Sequence, residues 1–109
     1  CDHIEVEKID GLELVISGPF SNGLPHDDGN LIVQAARLLA LAAGITPHAR
    51  IHLWKALPVA AGIGGGSADA AATLLALRDL WQISMDDEAL HELATQLGAD
   101  VPVCLAQTP

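Results

Sequence analysis

The chain has 109 residues, with five Lys and Arg against fourteen Asp and Glu, and a formal net charge of −9. That length suits one domain, large enough to bury a core without metals or staples, and such acidity excludes nucleic acid as a general partner, because binding a phosphate backbone takes clustered Lys and Arg. No run approaches the roughly 18 apolar residues of a membrane span and no signal peptide opens the chain, so a cytoplasmic protein with no membrane partner is expected.

Ile4 to Ile9 alternates apolar and polar residues, as does Leu12 to Ser17, and Asp10-Gly11 between them is a turn signal; the pattern predicts a β-hairpin. Gly18 to Gly29 is rich in Gly, Pro, Asn and Asp and reads as a loop that holds His26 in solvent. Asn30 to Ala43 has apolar residues at helical spacing, with Asp28, Gly29 or Asn30 as N-cap and Gly44 as C-cap. Ala49 to Trp54 is a predicted strand that runs through Lys55 into the glycine-rich stretch. Ser67 to Trp81 reads as a helix whose first turn is all small residues. Ser84 to Leu97 reads as another, with Ser84 as cap, Asp87 in the Glu position of a capping box, and Gly98 as its stop. Asp100 to Leu105 is a short apolar run with Pro102 inside it, expected as an edge strand. Cys104 in that run reads as a core residue, and Cys1 and Cys104 have neither CxxC nor metal-ligand spacing. No protein-built metal site is expected.

The chemistry concentrates between Pro58 and Ala68. Gly62, Gly64, Gly65 and Gly66 lie between a strand and a helix. Four glycines in five residues cost backbone entropy. A tight strand-to-helix turn needs only one or two of them. Successive N–H groups in such a stretch can form an anion-binding concavity, which the N-terminus of the following helix completes. One nucleotide can be held this way without a basic surface. Ser67 can donate to a phosphate oxygen or meet a metal ion. No Lys follows the glycines, so this is not a Walker loop. No acidic residue closes a second strand about 20 positions on, so it is not a dinucleotide fingerprint either.

Pro58 to Ala71, PVAAGIGGGSADAA, resembles the second motif of the GHMP kinases, which act on galactose, homoserine, mevalonate and phosphomevalonate. Gly65-Gly66-Ser67-Ala68 stands where homoserine and mevalonate kinases usually have Gly-Ser-Ser-Ala. It is more similar to the branch acting on a cytidine diphosphate-linked methylerythritol. Gly98-Ala99-Asp100-Val101-Pro102 resembles a second motif of that branch, and Asn30-Leu31-Ile32-Val33 with Ala35-Ala36-Arg37 resembles its helix before the loop.

The resemblance implies an α+β fold of two layers, an antiparallel-rich sheet with helices on one face: the ribosomal-protein-S5-domain-2-like N-terminal domain of GHMP kinases. It implies ATP and Mg²⁺ as cofactors and phosphorylation of the methylerythritol 2-hydroxyl in non-mevalonate isoprenoid biosynthesis. Pro58, Val59, Ala60, Ala61, Gly62, Ile63, Gly64, Gly65, Gly66, Ser67 and Ala68 would wrap the ATP phosphates. Asn30 and Lys55 would contact the adenine, Lys55 mainly through its backbone. Asp100, which by itself reads as a cap of the next turn, would be the catalytic aspartate. The alternatives are another GHMP alcohol kinase and a non-catalytic nucleotide-binding module. The family's N-terminal lysine motif, its Tyr-His pair and its C-terminal domain do not occur here, and the first residue is Cys. Residues 1–109 are therefore expected to be one partial domain of a longer enzyme, inactive alone and able to self-associate through an incomplete sheet.

Overall fold

The computed structural model describes residues 2–56 and 65–107. In chain order the elements are β1 (His3–Glu7), β2 (Leu12–Ser17), α1 (Leu31–Ala43), β3 (Ala49–Trp54), α2 (Gly65–Leu80), α3 (Asp87–Leu97) and α4 (Val101–Gln107). Among the described residues no helix is long and apolar enough to cross a membrane.

β1 and β2 do not form the expected hairpin. The strand order is β1-β3-β2, with β3 antiparallel to β1 and parallel to β2. Asp10-Gly11 does turn the chain, with Gly11 at φ 93°, but the connection spans a gap that β3 fills. At about 3.3–3.6 Å per residue, Lys8 to Gly11 covers the two strand spacings of about 4.8 Å each that separate the outer strands. Gly11 is then held by β3's leading end: its N–H donates to His48 Nδ1 at 2.8 Å and its carbonyl accepts from Ala49 N at 2.9 Å.

The alternation along each strand sorts the two faces. On one, Ile4, Leu53 and Ile16 lie abreast, then Val6, Ile51 and Leu14. These join a single core with Ile32, Val33, Ala36 and Leu39 of α1, Ala70, Leu74 and Leu77 of α2, Leu90 and Ala94 of α3 and Val101 of α4. On the other face Arg50 sits between Glu7 and Glu13 and pairs with both. That polar face and the helical layer give the two-layer α+β architecture; the three strands form one antiparallel and one parallel pair.

Asn30 is the N-cap of α1, its side-chain oxygen accepting from Ile32 N, and Gly44 ends the helix at φ 71°. α2 begins at Gly65, two residues before Ser67, and ends at Leu80. Ser84 is not a cap: α3 starts at Asp87 behind Asp86, whose carboxylate accepts from Ala89 N at 2.8 Å. Nor is Asp100 to Leu105 a strand. Val101 N donates to Gly98 O at 3.3 Å and Cys104 N to Asp100 O at 3.1 Å, opening α4. Pro102 fits that first turn because its missing N–H would have had no helical partner. Val101 is buried, Cys104 and Leu105 are half-buried against the core, and Val103 faces out, the spacing of a helix and not of a strand.

Candidate functional site

β3 delivers Lys55 to the edge of the core, where both its backbone and its side chain are fastened. Its N–H donates to Ser17 O at 2.7 Å and its carbonyl accepts from Phe20 N at 3.2 Å. The strap that makes these bonds turns at Gly18, φ +100°. A Cβ there would stand 2.7 Å from Lys55 O and 2.9 Å from Lys55 N, so only glycine fits.

The Lys55 side chain is buried, and its Nζ donates to Asp2 Oδ2 at 2.5 Å and to Asp69 Oδ2 at 3.4 Å. Asp2 Oδ1 accepts from Ala56 N at 2.8 Å. Three charges from just before β1, just after β3 and the first turns of α2 thus meet in one buried cluster. Burial works against the ammonium, but the hydrogen bond to Asp2 and the charge of Asp69 outweigh it, and the Lys55 pKa is raised. Asp69 is pushed up to about 7, first by burial and then by its hydrogen bond with Asp2 and the Asp2 charge, which Lys55 offsets only in part. Two carboxylates facing one ammonium carry an excess negative charge, and a proton held on Asp69 relieves it.

Lys55 and Asp69 form part of the wall of a cavity of about 160 Å³, together with Pro25, Asn30, Leu31, Leu53 and Gly66. This is smaller than the roughly 300–1,000 Å³ of a drug-sized ligand pocket and suits a single ring system. Its walls are mainly apolar, with Lys55 and Asp69 as the charged groups.

The structure brings Asn30, Lys55 and Gly66 together around this cavity. Asn30 also caps α1, and its Nδ2 donates to Pro25 O at 3.0 Å. Gly65 opens α2. Ser67, half-buried, and Ala68, exposed, lie in the first turn of α2 outside the cavity wall. Asp100 is exposed just before α4 and does not line the cavity; α4 packs on α2. Pro58, Val59, Ala60, Ala61, Gly62, Ile63 and Gly64 lie outside the described residues. His26 is not merely solvated: its Nδ1 bonds Leu14 O at 2.9 Å, tying the loop before α1 to β2.

Sequence reasoning missed Asp2 and the side-chain role of Lys55. It gives Asp69, inside the predicted Ser67 to Trp81 helix, no role there. The available signal was that Asp69 lies four residues before Thr73 and eight before Leu77, both fully buried. A carboxylate on that stripe needs a cation, and Lys55 is a nearby candidate.

Residues 30–108 match the family model described as the GHMP kinases N terminal domain. The chain is 52% identical over 108 residues to the 4-diphosphocytidyl-2-C-methyl-D-erythritol kinase of Paramagnetospirillum magneticum, an alignment covering 99% of this chain and 38% of that protein. It thus spans little more than a third of that relative's length. A crystal structure of 4-(cytidine 5'-diphospho)-2C-methyl-D-erythritol kinase superposes on 96% of the chain, and 35% of its own, with TM-score 0.71 and 42% identity. A homoserine kinase from Cytophaga hutchinsonii superposes on 93% of the chain and 32% of its own with TM-score 0.72 at 20% identity, a likeness of fold. The strand between two others, the capped helix ahead of it and the glycine-led helix behind it therefore have a known setting: the chain belongs to the GHMP kinase family.

Proposed function

We propose that this chain is the nucleotide-binding part of an ATP-dependent kinase, and that the whole protein phosphorylates the 2-hydroxyl of 4-diphosphocytidyl-2-C-methyl-D-erythritol. The observation that carries the nucleotide reading is the cavity where Asn30, Lys55 and Gly66 meet. Among the described residues, a Cβ added at Gly66 would meet no atom within 4 Å beyond its chain neighbours and its own helix backbone. The helix therefore has no packing need for glycine at that position, and the free space fits the close approach of a ligand to the backbone. The choice of alcohol is supported by the sequence likeness to kinases of that name.

In this reading the cavity takes the adenine ring, and residues Pro58 to Ala68 take the phosphates with the N-terminus of α2. Asp100 accepts or orients the proton of the attacking hydroxyl. Among the described residues, no three His, Cys, Asp or Glu side chains converge on a metal position. The residues present fit Mg²⁺ as an ion carried mainly by phosphate oxygens, with the Ser67 hydroxyl as a protein donor. When bound, the ion neutralises charge on the transferring phosphoryl group.

The test is phosphoryl transfer from ATP by the whole protein as encoded, offered the cytidyl substrate, homoserine and mevalonate. Turnover of the first alone is expected. Asp100→Asn should lower that turnover about 10²–10⁴-fold, the usual range for a lost general base, with ATP affinity unchanged. Turnover of homoserine or mevalonate instead would overturn the substrate assignment. Equal losses of turnover and ATP binding would make Asp100 a structural residue.

A further inference from the structure

The cluster of Asp2, Lys55 and Asp69 is more than a way to neutralise a buried lysine. Replacing a buried ion pair with apolar residues is often neutral or stabilising, so stability alone is a weak reason to keep three charges there. The cluster also stands in a particular place. Lys55 and Asp69 share the wall of the cavity with Asn30 and Gly66. The Lys55 backbone amide and carbonyl are already bonded to Ser17 and Phe20, which leaves the side chain as the natural donor toward a ligand. An ammonium has three N–H donors. Two go to Asp2 and Asp69, its acceptors among the described residues, and the third is the donor assigned to the ligand.

We propose that Asp69, together with Asp2, is a positioning residue for nucleotide binding: the two carboxylates hold the Lys55 ammonium in the cavity wall so that its third N–H meets an acceptor nitrogen of a purine ring. An unrestrained lysine has several rotatable bonds and loses their freedom on binding. Here that ordering is complete before the ligand arrives, which strengthens the contact without adding one. Asp69 comes from α2 and Asp2 from the residue just before β1, so the lysine's position depends on strand and helix docking together. This inference rests on the nucleotide reading above, and not on which alcohol is phosphorylated.

The test is ATP affinity by calorimetry, with kcat and KM, on the whole protein carrying Asp69→Asn, Lys55→Met or both. Affinities are read at about pH 8, above the value of about 7 to which Asp69 is pushed, where Asp69→Asn keeps the shape and removes the charge. It should raise the Kd and KM for ATP about tenfold, the effect of losing one charge-assisted hydrogen bond, while the KM for the alcohol and kcat at saturating ATP change less than twofold. Lys55→Met should weaken ATP at least as much, and adding Asp69→Asn to it should cost no further affinity. Asp69→Glu should recover part of the loss. If Asp69→Asn does not fold, Asp2→Asn carries the same expectation. Unchanged ATP affinity in a folded Asp69→Asn protein, or full additivity with Lys55→Met, would overturn the positioning role and leave the kinase reading standing. No ATP binding by the unaltered protein would overturn both.

Discussion

At Gly66 an added methyl group would meet no atom of the other described residues within 4 Å, its chain neighbours and own helix backbone aside, and the residue sits in the first turn of α2. Alanine there should therefore help the helix by about 0.5–1 kcal/mol while intruding on the cavity it lines. Gly66→Ala is expected to raise the melting temperature and weaken ATP binding, two changes of opposite benefit. Thermal unfolding and calorimetry on one preparation check both; unchanged ATP affinity would show that no ligand approaches this backbone. Asp69 makes a second prediction. Its carboxyl titrates near 3.8 in the unfolded chain and is pushed up to about 7 in the fold by burial, by Asp2 and only partly against Lys55. Between those values the folded state holds more protons, so rising pH costs stability. Asp2 and Lys55 are the charged groups facing it. Comparing melting curves, the native protein should lose ground relative to Asp69→Asn as pH rises from about 4 to about 7, and no more above that. Parallel curves would show Asp69 titrating as an ordinary carboxylate.

α3 tests the local rules at the scale of one element. Ser84 and Asp86 are both exposed polar residues ahead of the same helix, and the capping-box spacing favoured Ser84. The bond to Ala89 N belongs to Asp86 instead, and Arg78 pins the turn by donating to Met85 O at 3.2 Å and Asp87 Oδ1 at 2.9 Å. Asp86→Ala should cost about 1 kcal/mol, a typical cap loss, while Ser84→Ala should stay within about 0.5 kcal/mol; denaturant midpoints decide, and the reverse order would return the cap to Ser84. Local signals served well where one pattern dominated. Gly44 and the strict alternation of Ala49 to Trp54 mark the end of α1 and both bounds of β3 as observed, and Asn30, one of three candidate caps, is the one that opens α1. They failed where two structures share a pattern: Val101 to Leu105 is apolar enough for either strand or helix, and the Gly98 turn with Pro102 in the first turn decided for helix.

Across the whole molecule, what the sequence could not disclose is distance in space. Asp10-Gly11 between two alternating runs is a hairpin signal by every local criterion, yet the partner of both runs lies beyond α1. The same gap hid the charged cluster, whose members Asp2, Lys55 and Asp69 lie just before β1, just after β3 and within α2. The glycine motif could be recognised as a family resemblance without such knowledge, because Pro58 to Ala71 is one continuous stretch of sequence. The middle position of β3 has a consequence for how the chain folds. Leu12 must find Ala49 and His3 must find Trp54, so among the described residues the sheet has no short-range pair from which to start. Each closure must meet the entropy of a long loop before any strand bond repays it, and until β3 inserts, β1 and β2 are two unpaired ribbons. When it does insert, Lys55 arrives on its trailing end, so the sheet and one wall of the cavity beside Asn30 come into being in the same event.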